Sequence, residues 1–466
     1  MVFSSLVFVS GFLPIVAAIY FLSPARFRNA VLVTASAVFY AWSGILAVPL
    51  VALLVVANFL LGRMIEAPTG RMRRIILTGA VSLNLAVLIV FKYSGFLLGN
   101  VDSLLGLFSN LRVPARYLPL PLGISFFTFH IISYLVDVHR GSVRSQPSPT
   151  AFALYIVNFP QLIAGPIIRY RQIADQLPFR AVRFADIDAG VGRFTIGLVK
   201  KLLIADPIGS VVDQIFMVSP DQLTTAAAWL GVVCYALQIY FDFSGYSDMA
   251  IGLARIFGFR FPENFNYPYF AVSMRDFWRR WHMTLSAWFR DYVYMPLGGN
   301  QHGPWRTTRN LWIVFFLAGA WHGAGWNFIV WGLWQGLFLS VERLAPVEAI
   351  FALTPRLVRR GYVLLVVLFG WVFFRSPDLK FALGYMARMF GFGEDRDGLP
   401  LMLNVSAPMT ILIAAACCMS LPLWPGLRAF LASLGASRRA AVGIELSRAA
   451  LTAGAMVLSL GAMAGQ

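Results

Sequence analysis

One stretch of the chain is too long and too apolar to cross a membrane as a single straight helix. Residues 310–341 contain no formally charged side chain over 32 positions. As a helix at 1.5 Å per residue, this run would extend roughly 48 Å, well beyond a hydrocarbon core of ~30 Å. A break is therefore expected where small residues let backbones approach closely. These small residues are Ala318, Gly319, Ala320, Gly323, Ala324 and Gly325.

His322 is the ionisable side chain of that run. It lies inside the small-residue cluster, between Trp321 and Trp326, and this setting predicts a tight, largely dry cavity. Desolvating an ionisable group in an apolar run is expensive, so a functional role is the first hypothesis. The alternative is a core histidine that forms a hydrogen bond with a backbone carbonyl.

The composition places the chain among membrane proteins. Of 466 residues, 59% are hydrophobic and 13% are charged, with a mean hydropathy of +0.71, whereas a soluble domain carries about 25% charged residues. The net charge of +17 accompanies no nucleic-acid-binding motif, so no nucleic-acid partner is predicted. Cys234, Cys417 and Cys418 lie in apolar runs without CxxC spacing and are interpreted as buried spectator thiols. No ligand spacing suggests a metal site.

Positive charge is concentrated in short loops between apolar segments, the pattern that orients a membrane protein with its basic loops in the cytoplasm. The loops at 63–74 and 343–361 are therefore predicted to be cytoplasmic. Both ends of the chain and the loops at 99–118 and 376–400 are predicted to be outside. The apolar segments predicted to cross or enter the membrane are 2–21, 30–42, 50–62, 75–91, 121–136, 151–168, 191–204, 225–239, 310–341, 362–374, 408–421 and 449–464.

Two places depart from simple spans. Pro160 and Pro166 interrupt residues 151–168, whose flanks are both basic. This pattern predicts a re-entrant segment, because irregular backbone is tolerated at membrane depth only when protein buries it. Asp242 and Ser244 follow another apolar segment directly. They indicate either a helix break capped by aspartate or the polar lining of a chamber.

Residues 273–290 combine two faces at helical spacing. Ser273 and Asp276 have the spacing of a capping box and predict a helix start. Aromatic and basic faces follow around His282, which predicts one amphipathic helix at a basic membrane interface. The arginines either face lipid headgroups or bind the phosphates of a ligand through their guanidinium forks. The aromatic face consists of Phe277, Trp281, Trp288 and Phe289, and the basic face of Arg275, Arg279, Arg280 and Arg290.

Two sequence blocks carry a family resemblance: RDFWRRWHMTLSAWFRDY around His282 and LAGAWHGAGWNF around His322. Together they resemble the membrane-bound O-acyltransferase (MBOAT) family. The closest similarity is to its AlgI-type branch, which acetylates exported polysaccharides such as alginate and resembles the D-alanyl transferases of teichoic acid synthesis.

Further blocks at 121–141, 159–167 and 240–269 are similar to the same family, so the resemblance covers about 121–340. Two positions depart from the family pattern, which reads FFTFQ and DVYRG where this chain has His130 and His139. Neither histidine is predicted to be catalytic.

The resemblance implies an all-α polytopic membrane protein with about ten to twelve transmembrane helices. They would form a ring around a thin central region with re-entrant and interfacial helices. It implies one membrane domain over 1–466, with N-terminal spans at 1–116, a catalytic core at 117–342 and C-terminal spans at 343–466.

The resemblance also implies an O-acetyltransferase of the bacterial inner membrane that uses acetyl-CoA as co-substrate, without a bound cofactor or metal. The acetyl group would cross the membrane to an exported polysaccharide. Membrane lipid and a periplasmic SGNH-type acetyltransferase or polysaccharide export protein are the expected partners. His322 is predicted to be the general base, and His282 to assist on the donor side. Co-substrate binding is predicted for Arg279, Arg280, Trp281 and Arg290, and substrate lining for Asp242, Ser244, Trp321, Trp326 and Asn327.

Several alternatives stay open at this point. The acceptor is alginate, cellulose, peptidoglycan or another exported glycan, or teichoic acid with D-alanyl transfer. A transporter of a lipid-linked sugar is the alternative of a different class, because it also needs buried polar groups at mid-membrane. Such a transporter predicts inverted repeats, and the sequence contains no recognisable repeat.

Overall fold

The computed structural model describes residues 1–67, 69–108, 118–392, 405–423 and 438–464. Within these ranges the regular structure is helical and no strand occurs, so the predicted all-α class is confirmed. The α-helices are α1 Leu13–Leu22, α2 Arg28–Gly44, α3 Val48–Glu66, α4 Gly70–Leu105, α5 Ile124–His139, α6 Pro149–Val157, α7 Phe159–Leu162, α8 Tyr170–Ile173, α9 Phe184–Val199, α10 Asp206–Met217, α11 Thr225–Ile256, α12 Met274–Trp278, α13 Met283–Phe289, α14 Gly303–His322, α15 Trp326–Val341, α16 Ala345–Leu353, α17 Arg356–Arg375, α18 Leu379–Met389, α19 Ala407–Met419 and α20 Arg438–Ala464. Turns of π-helix occur at Val7–Phe12, Lys200–Ala205 and Arg290–Tyr294.

Several helical stretches of the described residues have the length and apolar composition of membrane spans. Four are long enough to cross: Ala25–Glu66, Gly70–Leu105, Thr225–Ile256 and Arg356–Arg375. Shorter apolar helices are Val7–Leu22, Ile124–His139, Ala407–Met419 and Ala450–Ala464. The predicted polytopic membrane class is therefore confirmed. The ring of ten to twelve helices and the three-part division of the domain remain predictions.

The chain forms two compact units, one comprising Met1–Val191 with Ala250–Pro262, the other Gly192–Met249 with Glu263–Gln466. In the first unit, α3 and α4 are joined by a buried pair of side-chain amides. Asn58 and Asn84 exchange two hydrogen bonds, of 3.0 and 2.8 Å. Each also donates to the carbonyl four residues earlier in its own helix, so these polar groups are satisfied inside an apolar environment.

The proline-containing segment at 151–168 is broken as predicted. Helix α6 ends at Val157, the short α7 contains Pro160, and an irregular stretch follows up to Arg169. Side chains accept hydrogen bonds from its irregular backbone: Ser36 Oγ from Phe159 N–H at 3.0 Å, and His130 Nε2 from Ile168 N–H at 3.2 Å. His130 is thus used to satisfy buried backbone, which agrees with its exclusion from the predicted catalytic set. The position of this segment relative to the membrane remains a prediction.

Two predicted outer loops were wrong in extent. Helix α4 continues to Leu105, although residues 99–118 were predicted as a loop. Its polar residues are satisfied within the helix, since Asn100 Nδ2 and Ser103 Oγ donate to carbonyls four residues back, at 2.7 and 2.8 Å. Likewise, α18 occupies part of 376–400, where Asp378 caps its first turn by accepting from Phe381 N–H at 2.8 Å. Residues 109–117 and 393–404 lie outside the described ranges.

In the second unit, α11 runs unbroken through Asp242 and Ser244, so the helix break, one of the two interpretations of these residues, is absent. The aspartates form ion pairs instead of capping a new helix. Asp248 binds Arg193 and Lys200 at 2.6 and 2.7 Å, and Asp242 binds Lys201 at 2.7 Å. Both lysines lie in the π-helical turn between α9 and α10.

The break predicted within 310–341 is confirmed. Helix α14 ends at His322, α15 begins at Trp326, and the three residues between them form the turn. The two helices pack closely through glycines. A Cβ atom built on Gly332 would lie 2.1 Å from the Phe315 carbonyl oxygen, and one on Gly319 would lie 2.3 Å from the Phe328 carbonyl oxygen. The small residues therefore allow this hairpin to form.

The single amphipathic helix predicted for 275–290 was wrong. The helix start is confirmed, because Ser273 Oγ accepts from Asp276 N–H at 3.0 Å, but α12 has only five residues and α13 starts after a turn. The predicted lipid-facing aromatic side chains Phe277, Trp281, Trp288 and Phe289 are all buried in protein. Packing against other aromatic rings therefore replaces contact with the membrane interface.

The start of α12 is anchored by Glu342, at the end of α15. Its carboxylate accepts from the backbone N–H groups of Met274 at 2.6 Å and Arg275 at 3.4 Å.

The prediction that all three cysteines are buried was wrong for two of them. Cys234 is buried, but Cys417 and Cys418 are exposed on α19. In an apolar helix, an exposed face is chemically compatible with lipid, so apolar sequence alone did not imply burial within the protein.

Candidate active site

His282 lies between α12 and α13, in the turn that the sequence did not predict. Its backbone has φ 42° and ψ 53°, in the left-handed region that a non-glycine residue enters at a cost of about 1–3 kcal/mol. Two backbone hydrogen bonds hold the turn. Met283 N–H donates to the Asn264 carbonyl at 3.0 Å, and Asn266 N–H donates to the Arg280 carbonyl at 2.9 Å. The turn directs the imidazole into the protein, where His282 is 1% exposed.

The two ring nitrogens of His282 have different surroundings. Nδ1 lies 3.1 Å from Oδ1 of Asn264. Nε2 is buried and has no hydrogen-bond partner in the part of the chain that the structure describes. Burial, and then the nearby imidazole of His322, lower the pKa of His282 well below its ordinary value, so the ring is neutral at neutral pH. A neutral ring with an unused nitrogen can accept a hydrogen bond from a bound substrate.

His322 is the last residue of α14, directly before the glycine turn. Aromatic rings surround it, with ring centroids at 4.7 Å for Trp321, 4.9 Å for Trp331 and 5.1 Å for Phe374. The side chain is nevertheless only half-buried. Trp326, which was predicted to close the cavity, is 55% exposed. The expectation of a tight, dry cavity between Trp321 and Trp326 is thus corrected to an aromatic enclosure in which His322 is partly exposed.

Trp321 connects the two histidines. Its ring centroid lies 6.3 Å from that of His282 and 4.7 Å from that of His322. Phe243 of α11 also meets the His282 ring, edge-on, with centroids 4.7 Å apart. Trp331 of α15 stacks near-parallel on Trp371 of α17, with centroids 6.3 Å apart. Helices α11, α14, α15 and α17 thus build one enclosure containing both imidazoles.

Asn327 secures the wall of this enclosure. Its Nδ2 donates to the carbonyl oxygens of Phe373 at 3.3 Å and Ser376 at 2.8 Å, and the side chain is buried. These bonds fix the end of α17 beside Phe374, a ring that touches His322. The predicted role of Asn327 in lining the substrate remains a prediction, while its amide group holds α17.

The residues predicted to bind the co-substrate fall into two groups. Arg280 bonds Asp276 at 2.8 Å and the Asn266 carbonyl at 3.3 Å, and Trp281 is 4% exposed and stacks on Phe277. Both therefore shape the turn that carries His282. The other two are exposed: Arg290 pairs with Asp291 at 2.8 Å, and Arg279 forms no ion pair with any described residue.

Among the described residues, neither of the two residues predicted on α11 forms a hydrogen bond or ion pair with His282 or His322. Asp242 binds Lys201, and the buried Ser244 Oγ has no hydrogen-bond partner among the described residues. The residue of this block that reaches the site is Phe243, which lies between them. Successive residues on a helix point about 100° apart, so the three side chains cannot share one direction.

Sequence reasoning missed four residues of the site: Phe243, Asn264, Trp331 and Phe374. Asn264 and Phe243 lie in the family-like block at 240–269, and Trp331 lies in the same uncharged run as His322. Phe374 lies beyond the stretch that carried the resemblance. Its approach to His322 depends on how α17 packs, which no local pattern contains.

Comparisons with known proteins show which proteins this chain is similar to. The chain is 44% identical over 396 residues to the probable alginate O-acetylase AlgI of Azotobacter vinelandii, covering 84% of this chain and 79% of that protein. It is 36% identical over 427 residues to the peptidoglycan O-acetyltransferase of Helicobacter pylori, covering 84% and 80%. The teichoic acid D-alanyltransferase of Bacillus subtilis is 31% identical over 238 residues, covering 47% and 58%.

Residues 37–374 match the membrane-bound O-acyltransferase (MBOAT) family. The match runs from the second half of α2 to Phe374 near the end of α17, and it includes every residue of the aromatic enclosure. The chain therefore belongs to the membrane-bound O-acyltransferase family.

Proposed function

We propose that the protein transfers an acetyl group from cytoplasmic acetyl-CoA across the bacterial inner membrane, for O-acetylation of an exported polysaccharide such as alginate. Its family makes it an O-acyltransferase that works in a membrane with an acyl donor. The observation that carries the proposal is the pair of imidazoles enclosed by aromatic rings, on either side of Trp321.

The chemistry assigned to His322 is general-base catalysis. A hydroxyl of the acceptor, or a nucleophile on a carrier, gives its proton to the imidazole while its oxygen forms a bond to the thioester carbonyl carbon. The carbon–sulfur bond then breaks, and the proton passes to the leaving thiolate of coenzyme A. The products are an acetyl ester and free coenzyme A. A histidine suits this step because its ordinary pKa lies near the working pH.

The half-exposed position of His322 supports its assignment as the base. A partly exposed group can meet an acceptor, whereas His282 is 1% exposed. His282 is proposed to assist on the donor side, where its free Nε2 can accept a hydrogen bond from the co-substrate. Because His282 is 1% exposed, a hydrogen bond to its ring would be shielded from bulk water, which strengthens it.

Arg279 and Arg290 are proposed to attract the phosphates of the donor, because both are exposed in the segment that carries His282. Guanidinium groups suit phosphate oxygens. Arg280 and Trp281 would support this site indirectly by holding the turn. Asp242, Ser244, Trp321, Trp326 and Asn327 remain the proposed lining of the substrate path.

The proposal also names an acceptor polysaccharide and a partner protein. Alginate is favoured by the 44% identity to an alginate O-acetylase, and peptidoglycan is the second candidate because of the relative in Helicobacter pylori. A periplasmic SGNH-type acetyltransferase or an export protein is proposed to receive the acetyl group or complete the transfer.

The test uses a strain whose alginate acetylation has been removed by deleting its membrane acetylase. Restored acetyl esters on secreted alginate, measured by NMR, are expected with the wild-type chain and not with His322→Ala at equal membrane abundance. His302→Ala, which alters an exposed histidine, is the matched control. If peptidoglycan is acetylated and alginate is not, the acceptor is peptidoglycan instead of alginate. No new acetyl ester on any glycan, together with no hydrolysis of acetyl-CoA by membranes, would overturn the proposal.

A further inference from the structure

We propose that Asn264 is a positioning residue that holds His282 in the tautomer protonated at Nδ1, leaving Nε2 as a hydrogen-bond acceptor inside the enclosure. This inference rests on the proposed function of the His282 and His322 pair. It adds a residue from outside the two histidine blocks, and it assigns a direction to the hydrogen bond of His282.

The orientation of the Asn264 amide follows from its other partners. Its Oδ1 accepts from the backbone N–H of Thr284 at 3.3 Å and from the Thr284 hydroxyl at 2.9 Å. Its Nδ2 donates to Ser247 Oγ at 3.1 Å. A backbone N–H can only donate, so the atom facing Thr284 is the amide oxygen.

The same oxygen lies 3.1 Å from Nδ1 of His282. An amide oxygen can only accept, so Nδ1 carries the hydrogen in this contact. In a neutral imidazole the other nitrogen then has the free lone pair. That nitrogen, Nε2, is the buried atom without a hydrogen-bond partner among the described residues.

A buried acceptor without a partner is costly unless a ligand supplies the donor. The side chains packed against the ring of His282 are Phe243 and Trp321, and neither carries a charge. The nearby titratable group is His322, beyond Trp321. A hydroxyl or amide N–H of a bound substrate is the chemical class of group that would complete this contact.

Asn264 also supports the strained turn. Its backbone carbonyl accepts from Met283 N–H at 3.0 Å, directly after His282 with its φ of 42°. Backbone support survives replacement of the side chain, whereas control of the tautomer does not. Side-chain variants therefore separate the two roles.

The first measurement is the 15N spectrum of purified, full-length protein labelled at histidine, with His282→Gln used to assign the resonances of His282. A protonated Nδ1 and an unprotonated Nε2 are expected in the wild type. In Asn264→Leu, a mixture of tautomers is expected. The wild-type tautomer in folded Asn264→Leu would overturn the proposal. This spectrum does not depend on acetyl transfer, so it remains informative even if the proposed function fails.

The second measurement is acetyl transfer against pH. Asn264→Leu is expected to lose roughly 10–100-fold in rate, by analogy with residues that orient a metal-ligating histidine through its second nitrogen. Asn264→Asp keeps an acceptor for Nδ1 and Thr284, so it should retain the tautomer and most activity. Its carboxylate should raise the pKa of His282 and move the acidic limb of the profile upward by about 1–3 pH units.

Asn300→Asp is the control, because it adds the same charge in an exposed turn. An unshifted profile in Asn264→Asp would overturn the proposal even if Asn264→Leu fails to fold. If wild type transfers no acetyl group while the spectra show the expected tautomer, the function has failed and the role of Asn264 stands.

Discussion

At the scale of single residues, the two histidines of the enclosure differ in solvent exposure. His322 is half-buried at the end of α14, and His282 is 1% exposed in a strained turn. We expect His322→Ala to lower acetyl transfer by about 10²–10⁴-fold, the usual contribution of a general base. His282→Ala should cost less, about 10–100-fold, because a hydrogen-bond acceptor orients a substrate without moving the proton of the reaction.

The measurement is the initial rate of transfer in purified membranes at matched protein level, with His302→Ala as the control. Groups that act as a unit have non-additive effects, so the double variant should be no slower than His322→Ala alone. Near-wild-type transfer by His322→Ala would leave that residue as an aromatic-packed core histidine.

Arg279 offers a second prediction at this scale. It is exposed and has no ion pair among the described residues, whereas Arg280 is held by Asp276. Arg279→Glu should weaken binding of a non-hydrolysable acetyl-CoA analogue by roughly 10–100-fold, since a charge-assisted hydrogen bond contributes about 1.5–3 kcal/mol. Arg306→Glu, at another exposed position, is the matched charge reversal. If both variants bind the acetyl-CoA analogue equally well, Arg279 does not bind its phosphates and contacts lipid headgroups instead.

At the scale of elements, the hairpin of α14 and α15 depends on glycine. A Cβ on Gly332 would lie 2.1 Å from the Phe315 carbonyl oxygen, so Gly332→Ala must push the helices apart. Such overpacking costs about 1–3 kcal/mol, and the displacement moves His322 relative to Trp331. We expect a lower midpoint of thermal unfolding in detergent and reduced transfer.

Gly361→Ala is the control for that hairpin variant. A Cβ at Gly361 of α17 would meet no atom within 4 Å, and alanine stabilises a helix interior by up to about 1 kcal/mol relative to glycine. Its midpoint should therefore be unchanged or higher. If both variants unfold at the same temperature as the wild type, the close approach at Gly332 is not needed for the stability of the hairpin.

At the scale of the whole molecule, the basic loops predict orientation. Single cysteines would be introduced at the exposed positions Thr69, Leu107 and Leu353, with the three native cysteines replaced by alanine. A membrane-impermeant maleimide added to spheroplasts should label Leu107→Cys. Thr69→Cys and Leu353→Cys should react only after lysis, because arginine-rich segments between spans stay in the cytoplasm. Labelling of Thr69→Cys in intact spheroplasts would contradict this topology.

The sequence by itself determined the all-α membrane class, the family, and the break after His322. Hydrophobic length and the placement of small residues fix these features, because a helix cannot exceed the membrane thickness without tilting or breaking. It also identified the start of α12 through the capping residues Ser273 and Asp276, a local signal contained in four consecutive residues.

Tertiary structure alone decided where two helices end, because contacts with residues distant in the sequence set their ends. Asp242 looked like a helix breaker, yet α11 continues because Lys201 neutralises it. The segment at 275–290 looked like one helix, yet it breaks at His282 because Asn264 and its neighbours stabilise a left-handed turn. Both outcomes depend on residues distant in the sequence, whose contributions no local periodicity includes.

Tertiary structure also decided the composition of the active site. His322 and His282 were recognisable because an ionisable group in an apolar setting has a physical cost that the sequence displays. Phe243, Trp331 and Phe374 were not, since an aromatic residue is compatible with any apolar surface. Only the packing of α11, α15 and α17 around the two imidazoles selects those rings, and only the folded turn brings Asn264 to the nitrogen that it orients.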